Sequence, residues 1–440
     1  MATQLLRNAT LVDLRAARVE RADLRIEGGR IAERGPGLVP RNGEEVVNLF
    51  DRLVMPGLVN AHGHLYSALA RGMPGPRRAP RDFVEILEQV WWRLDRALDP
   101  ESIYLSAMIG ALDAIRAGTT CLIDHHASPA AIPGSLATVG RALGEAGLRG
   151  VLCYEVTDRG GLKERDEGLA ETAEFLSSGT GPLLRGLVGA HAGFTLSQES
   201  MHKIGDLAGL HEVGVHIHVA EDRADVENAR KRHGMEPIER LAEAGCLTRR
   251  SLLAHGTHLS RDQLALAREH GAWLIHNARS NMNNRVGYAP VAEFGKRAAL
   301  GTDGLGSDMF EEARTAYFKA QDGGAGLAPA DVLALLDGGA RLASELFGEP
   351  IGALEPGAAA DLVVLDHQPP TPLDGGNLAG HLIFGLSSGM VESVMIGGRW
   401  VLRERRFPDL DVGAVASRAR VAAAELWQRM ERVPDLLLGR

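Results

Sequence analysis

Between residues 56 and 349 short apolar runs alternate with amphipathic stretches, and this alternation constrains the fold more than any other feature of the chain. The runs are Gly57 to His64, Thr119 to His125, Gly150 to Val156, Arg185 to His191, Gly214 to Ala220, Ser251 to His255, Ala272 to His276 and Ala298 to Asp303. Between them lie helix-like segments such as Glu101 to Ala117, Gly134 to Ala146, Arg261 to His270 and Phe310 to Ala320. Continuously apolar runs this short predict strands buried on both faces, the condition of a parallel sheet covered by helices. Eight such units predict an α/β protein built on a (β/α)8 TIM barrel, which forms its site at the C-terminal ends of its strands.

The two ends of the chain follow a different pattern. Residues 4 to 55 alternate in the strand manner, and Gly28-Gly29 inside Ile26 to Ile31 predicts a hairpin turn. Ala360 to Asp366 and Val394 to Val401 repeat that style, including Gly397-Gly398. The 440 residues are therefore expected to divide into a barrel, 56–349, and a small discontinuous β-sandwich domain formed by 1–55 and 350–440, with a C-terminal helix over Val412 to Arg432. The longest excursion, Tyr66 to Pro100, contains FVEILEQVWWRL at Phe83 to Leu94. It is expected to cap the barrel mouth as a helical lid, with an oligomer contact as the other reading of Trp91 and Trp92.

Bulk properties exclude several classes. A net charge of −9, a pI near 6.0 and the lack of a basic tract argue against a nucleic-acid partner. Cys121, Cys153 and Cys246 are odd in number and widely spaced, which fits a reducing compartment. The first residues carry no apolar h-region, and charges interrupt every candidate membrane span, so a cytoplasmic protein without membrane association is expected.

Chemistry enters through the strand ends. Side chains two apart in a strand share a face, so His62 and His64 present two imidazoles together where the first strand ends. His218 ends the fifth run, His255 the sixth, His276 the seventh and Asp303 the eighth. Two or three neutral imidazoles with one carboxylate and a position left for water make a catalytic rather than a structural metal arrangement. Glu221 lies just past the fifth strand, three residues after His218, placed to move protons without competing for the metal. His202, His211, His233, His270, His367 and His381 fall in helices or turns and read as surface residues.

Taken in order, HGH, HVAE, AHGTH, LIHN with SNMNN, and GTDG resemble the amidohydrolase superfamily and its cytosine deaminase and chlorohydrolase-like branch. With HLYSALARG and DHHASP added, the chain is most similar to the SsnA-like aminohydrolases, along essentially its whole length. The resemblance implies metal ligation by His62, His64, His218 and Asp303. It implies that Glu221 shuttles protons between metal-bound water and a ring nitrogen of the substrate, that His255 orients the hydroxide, and that Asp303 helps to deprotonate the water and later protonates the leaving group.

One divalent ion is expected, zinc first with iron as the alternative, because RGLVGAHAGF lacks the strand-four lysine with which two-metal members bridge their ions. Substrate contacts are expected from His125, His126, His191, His276 and Arg279, with Asp124 orienting the first two and an extra metal site as the other reading of the His125-His126 pair. His216 reads as a buried layer residue and His258 as a group near the site. Tyr154, Glu155, Asp158, Arg159, Asn281, Asn283 and Asn284 are further candidates for the pocket. Ala278, where many relatives have proline, predicts a less rigid seventh loop.

The expected activity is a metal-dependent aminohydrolase attacking a C–N bond of a nitrogen heterocycle, purine, pyrimidine or related, with metal-activated water. Hydrolytic loss of chloride or alkylamine, cyclic amide opening and an inactive scaffold are the alternatives. A small heterocyclic substrate and a homo-oligomer, dimer or higher, complete the expected partners.

Overall fold

The computed structural model describes residues 3–179 and 181–434. The barrel strands are Leu58–Gly63, Thr119–His126, Arg149–Val156, Val188–Ala192, Val215–Val219, Leu252–His255, Trp273–His276 and Ala298–Leu300, each buried along its whole length. Neighbours pair in parallel in chain order. The fourth run is interrupted at Leu187, and a short piece, Leu184–Gly186, pairs with the third strand before Val188–Ala192 resumes. The two strands then run so close that a Cβ on Gly189 would lie 2.1 Å from the Tyr154 carbonyl oxygen.

Closure occurs just beyond the eighth strand. The run expected to extend to Asp303 is strand only to Leu300, yet Gly63 bridges to Asp303. The His62 carbonyl there accepts from the Thr302 and Asp303 amides at 2.9 and 3.0 Å. Gly301 permits this approach, since a Cβ there would lie 2.8 Å from the His62 Cβ. Three non-glycine residues at strand ends, Ala220, His255 and Asp303, hold φ of +48°, +73° and +55°. Such left-handed conformations are costly and tend to cluster at functional sites.

The chain ends form one continuous sheet of eight strands. Leu53–Pro56 sits inside it, parallel to Gln4–Asp13 and antiparallel to Leu362–Leu365. Both Gly-Gly pairs make the expected left-handed hairpin turns. The turns also touch, since a Cβ on Gly398 would fall 2.8 Å from the Gly29 Cα. Arg149, which begins the third barrel strand, ties this sheet to the barrel. Its Nε donates to Asp361 at 2.6 Å and its guanidinium reaches Glu349 at 3.0 Å, while Asp361 also accepts the Gly397 amide at 2.7 Å.

Helix Pro100–Arg116 starts from an Asp99–Ser102 capping box with proline in its first turn. The preceding excursion is helical over Phe83–Ile86, widens by a π-turn over Leu87–Trp91, and ends in Trp92–Ala97. Trp92 is 2% exposed and packs with Phe83, Leu87 and Val286 over the barrel mouth. The C-terminal helix, Val412–Arg432, grips this segment from outside. Arg93 donates to the Met430 and Val433 carbonyls at 2.7 and 3.1 Å, Arg429 to Ala97 at 2.7 Å, and Trp427 to Leu69 at 2.9 Å. Among the described residues no helix is long and apolar enough to cross a membrane.

Removing one side of a buried ion pair strands the other charge. Asp361→Ala should therefore destabilise the protein by about 3 kcal/mol in urea unfolding, whereas Asp337→Ala, which removes the partly exposed pairs with Arg15 and Arg341, should cost under about 1 kcal/mol.

Candidate metal centre

The ring closure places the ends of strands one, five and eight around one point. There the donor atoms of His62, His64, His218 and Asp303 all lie within 4.8 Å of one another. Asp303 Oδ1 stands 2.9 Å from His64 Nε2 and 3.5 Å from His62 Nε2, and His64 Nε2 stands 3.2 Å from His218 Nε2.

The far side of each ring fixes which nitrogen faces inward. His64 Nδ1 donates to the His125 carbonyl at 2.6 Å and His218 Nδ1 to the His191 carbonyl at 2.7 Å, leaving both Nε2 lone pairs for the centre. His62 Nδ1 lies 2.9 Å from His216 Nε2. Its own Nε2 is buried with no hydrogen-bond partner, as is that of His255.

Electrostatics points the same way. Burial lowers His62 to about 3 and holds His218 well below the usual imidazole range. Burial also opposes a charge on His64, but the Asp303 carboxylate outweighs it and lifts the group to about 9. Asp303, which burial alone would raise, is held well below the usual carboxylate range by His62 and His64. A cluster of three imidazoles and a carboxylate that draws one positive charge into its centre suits a cation there. The donor set and the orphaned His62 Nε2 both fit a bound divalent ion.

The groups around this centre are set by one short helix, Ala278–Asn284. Ser280 Oγ donates to Asp303 Oδ2, Asn281 Oδ1 accepts from His255 Nδ1 at 2.8 Å, and Asn284 Nδ2 donates to Glu221 Oε1 at 3.2 Å. His255 Nε2 then stands 3.5 Å from Glu221 Oε2 and 4.0 Å from Asp303 Oδ2. Burial, reinforced by repulsion from Asp303, pushes the Glu221 carboxyl well above its ordinary value.

A cavity opens from this centre beneath the lid. His64, His218, Glu221, Asp303, Ser280, Asn283 and Asn284 contribute to its lining, and Tyr66, Phe83, Leu87, Trp91, Trp92 and Phe194 form the apolar part. Of the expected substrate-contact residues only His191 lines it. His125 is spent behind the wall, Nδ1 at 3.1 Å from Glu155 and Nε2 at 3.1 Å from the His216 carbonyl. His126 meets Ser128 at 3.0 Å. His276 packs among Tyr288 and Phe294 with neither ring nitrogen bonded.

Arg279 faces away from the cavity, bound to Glu312 at 2.6 Å, Glu311 at 2.7 Å and the Gly306 carbonyl at 2.6 Å. The seventh loop, expected to be less rigid for want of proline, is instead a helical turn clamped by that arginine. Asp124 accepts from the Leu65 amide at 2.7 Å rather than orienting either neighbouring histidine.

Sequence reasoning placed Phe83 and Leu87 only within the capping segment, and missed Ser280, Phe194, Asp222 and Asp225. The serine stood inside the SNMNN motif, but nothing local marks the other three as cavity residues. Glu155 was legible only as one of a set. Burial alone would raise its carboxyl, but His191, His125 and Arg159 outweigh that and hold it well below the ordinary range.

Two outcomes follow from this geometry. Asn281→Ala should lower turnover about 10- to 100-fold by freeing the His255 ring, with metal content unchanged by elemental analysis. Since the depressed Glu155 value stabilises the fold above its ordinary pKa of about 4.5 and that stabilisation is lost as pH falls through the lowered one, Glu155→Gln should be about 3 kcal/mol less stable at pH ~7. In urea unfolding between pH ~7 and ~3 the gap should shrink only in the acid half of the range.

The profile of the amidohydrolase family matches residues 53–401. A 5'-deoxyadenosine deaminase from Methanothermobacter thermautotrophicus is 31% identical over 428 residues, covering 94% of this chain and 96% of its own. A 5-methylthioadenosine/S-adenosylhomocysteine deaminase from Desulforudis audaxviator is 30% identical over 439 residues, covering 96% and 98%. Among solved structures, an adenosine deaminase from Xanthomonas campestris with bound zinc superposes with a TM-score of 0.84 at 26% identity, covering 98% and 99%. An atrazine chlorohydrolase from Arthrobacter aurescens complexed with zinc shares the fold, with a TM-score of 0.81 at 22% identity over 96% of this chain and 100% of its own. With the family profile spanning the barrel and the strands that flank it, and relatives aligned nearly end to end, the chain belongs to the amidohydrolase family.

Proposed function

We propose that the protein is a metal-dependent aminohydrolase that releases ammonia from an aminated purine of the adenosine type, with water as the nucleophile. The observation that carries this reading is the convergence of four metal-capable side chains with Glu221 and His255, groups able to hold and move protons at the same point. The relatives named as deaminases of 5'-deoxyadenosine and 5-methylthioadenosine support the substrate type. The zinc in the Xanthomonas campestris structure supports zinc. One ion is the preferred stoichiometry, because both nitrogens of His125 already face acceptors and the fourth strand offers no bridging lysine.

A divalent ion held by His62, His64, His218 and Asp303 supplies Lewis acidity, which makes water nucleophilic near neutral pH. The protein's own groups do the rest. Glu221, whose carboxyl burial and Asp303 push above its ordinary value, donates a proton to a ring nitrogen, so drawing electrons from the carbon under attack, and recovers one from the new hydroxyl as the amine departs. Asp303, kept ionised by its imidazole partners, accepts a proton from the attacking water and returns it to the departing amine. His255 presents Nε2 to the attacking oxygen because Asn281 holds its other nitrogen. The lid and Trp92 exclude bulk water, which strengthens each of these interactions.

Zinc-loaded protein should release ammonia from 5'-deoxyadenosine or 5-methylthioadenosine. Glu221→Gln should lose at least ~1,000-fold in kcat with zinc content retained. Fully zinc-loaded wild-type protein that leaves every aminopurine untouched would sink this reading.

A further inference from the structure

The three imidazoles of the centre are not held alike. His64 and His218 each turn Nδ1 to a backbone carbonyl. A carbonyl can only accept, so it alone leaves Nε2 free for an ion. His62 instead turns Nδ1 to a second imidazole, His216 Nε2, at 2.9 Å. An imidazole nitrogen can donate or accept, so this contact by itself fits either tautomer of His62.

The choice between them is made further out. His216 Nδ1 lies 3.6 Å from Cys153 Sγ, and the thiol in turn donates to the Asp124 carbonyl at 3.4 Å, separations that suit the larger radius of sulfur. His62, His216 and Cys153 are all fully buried, so bulk water does not compete. A Cβ on Gly189 of the neighbouring strand would lie 3.0 Å from Cys153 Sγ, which leaves the sulfur little room to move. Because the Asp124 carbonyl only accepts, the S–H points to it and the sulfur is left to accept from His216. His216 then carries its hydrogen on Nδ1 and a lone pair on Nε2. His62 Nδ1–H donates to that lone pair, and His62 Nε2, which has no hydrogen-bond partner, keeps its own lone pair for the centre.

We propose that Cys153 and His216 are positioning residues for the metal centre. They form a one-way hydrogen-bond relay, anchored on the Asp124 carbonyl, that fixes the tautomer in which His62 can bind a metal. This inference rests on the metal centre of the aminohydrolase reading and not on its substrate.

The test is zinc affinity, measured by chelator competition in the wild-type protein and in Cys153→Ala, Cys153→Ser and Cys121→Ala. Cys121 is a fully buried thiol on the second strand, outside the relay. Cys153→Ala takes the acceptor from His216 and should weaken zinc binding about 10- to 100-fold. Cys153→Ser keeps an atom that donates and accepts in the same two directions, and should recover most of that loss. Cys121→Ala should leave the affinity unchanged. Neutron diffraction from the zinc-loaded wild-type protein should show hydrogen on His62 Nδ1, His216 Nδ1 and Cys153 Sγ. Wild-type affinity in Cys153→Ala, equal loss in Cys153→Ala and Cys153→Ser, or hydrogen on His216 Nε2 overturns the relay while the metal centre stands. So does a second zinc equivalent that Cys153→Ala removes, since donor atoms of His125, Cys153 and His216 lie within 4.8 Å of one another and the thiol would then be a ligand. Wild-type protein that binds no zinc overturns the relay and the metal centre together.

Discussion

Everything at the mouth depends on how the barrel closes. The His62 carbonyl accepts the Thr302 and Asp303 amides, so the backbone that ends strand one is joined to the backbone just past strand eight. That bond brings residues some 240 positions apart into one ladder, as the matching Asn60–Thr302 contact across 242 residues shows. It sets the Asp303 carboxylate against His64 and His62 with little freedom to move. The left-handed turn at Asp303 and the absence of a side chain at Gly301 are the local conditions of that closure. The metal centre is thus a by-product of ring closure, and it inherits the rigidity of the sheet.

A second layer of order comes from buried charge. Glu155, Asp95, Arg159, His125 and His191 form a connected group in which Glu155 and His191 line the cavity and the others lie behind its wall, and Arg159 joins the third strand's loop to the base of the lid. Removing such charges from water is expensive, so each has to be held by several partners. The stacking of Arg159 on Trp92 means that the same group also fixes the main aromatic surface of the roof. Helix Ala278–Asn284 does the equivalent work on the other side, where Arg279 clamps its first turn and Ser280, Asn281 and Asn284 reach three different functional side chains.

The sequence was most informative where chemistry follows from strand periodicity. His62 and His64 share a face because they are two apart, and each barrel strand shows as an apolar run because it is buried on both sides. The paired glycines at 28–29 and 397–398 marked their turns for an equally local reason. What could not be seen depends on partners distant in sequence. Arg279 looks like a free cation until Glu312 is placed beside it 33 residues on. His125 and His126 end the strand beside the first, but Glu155 takes up the one and Ser128 the other, so that neither lines the cavity. Which face of the lid carries the roof, and which of its tryptophans is sealed, follows from the C-terminal helix that packs against it, more than 300 residues later.

That last contact also bears on how the molecule is assembled. Arg93 meets Val433 across 340 positions, and Leu53–Pro56 pairs with Leu362–Leu365. Contacts of such high sequence separation slow folding, because a long loop must be ordered before they form. All four candidate ligands, from His62 to Asp303, are synthesised before the helix that pins the roof. The order of synthesis therefore leaves the centre under an unpinned cover until the final segment docks, so the coupling between roof and chain end is a matter of folding kinetics as much as of equilibrium stability.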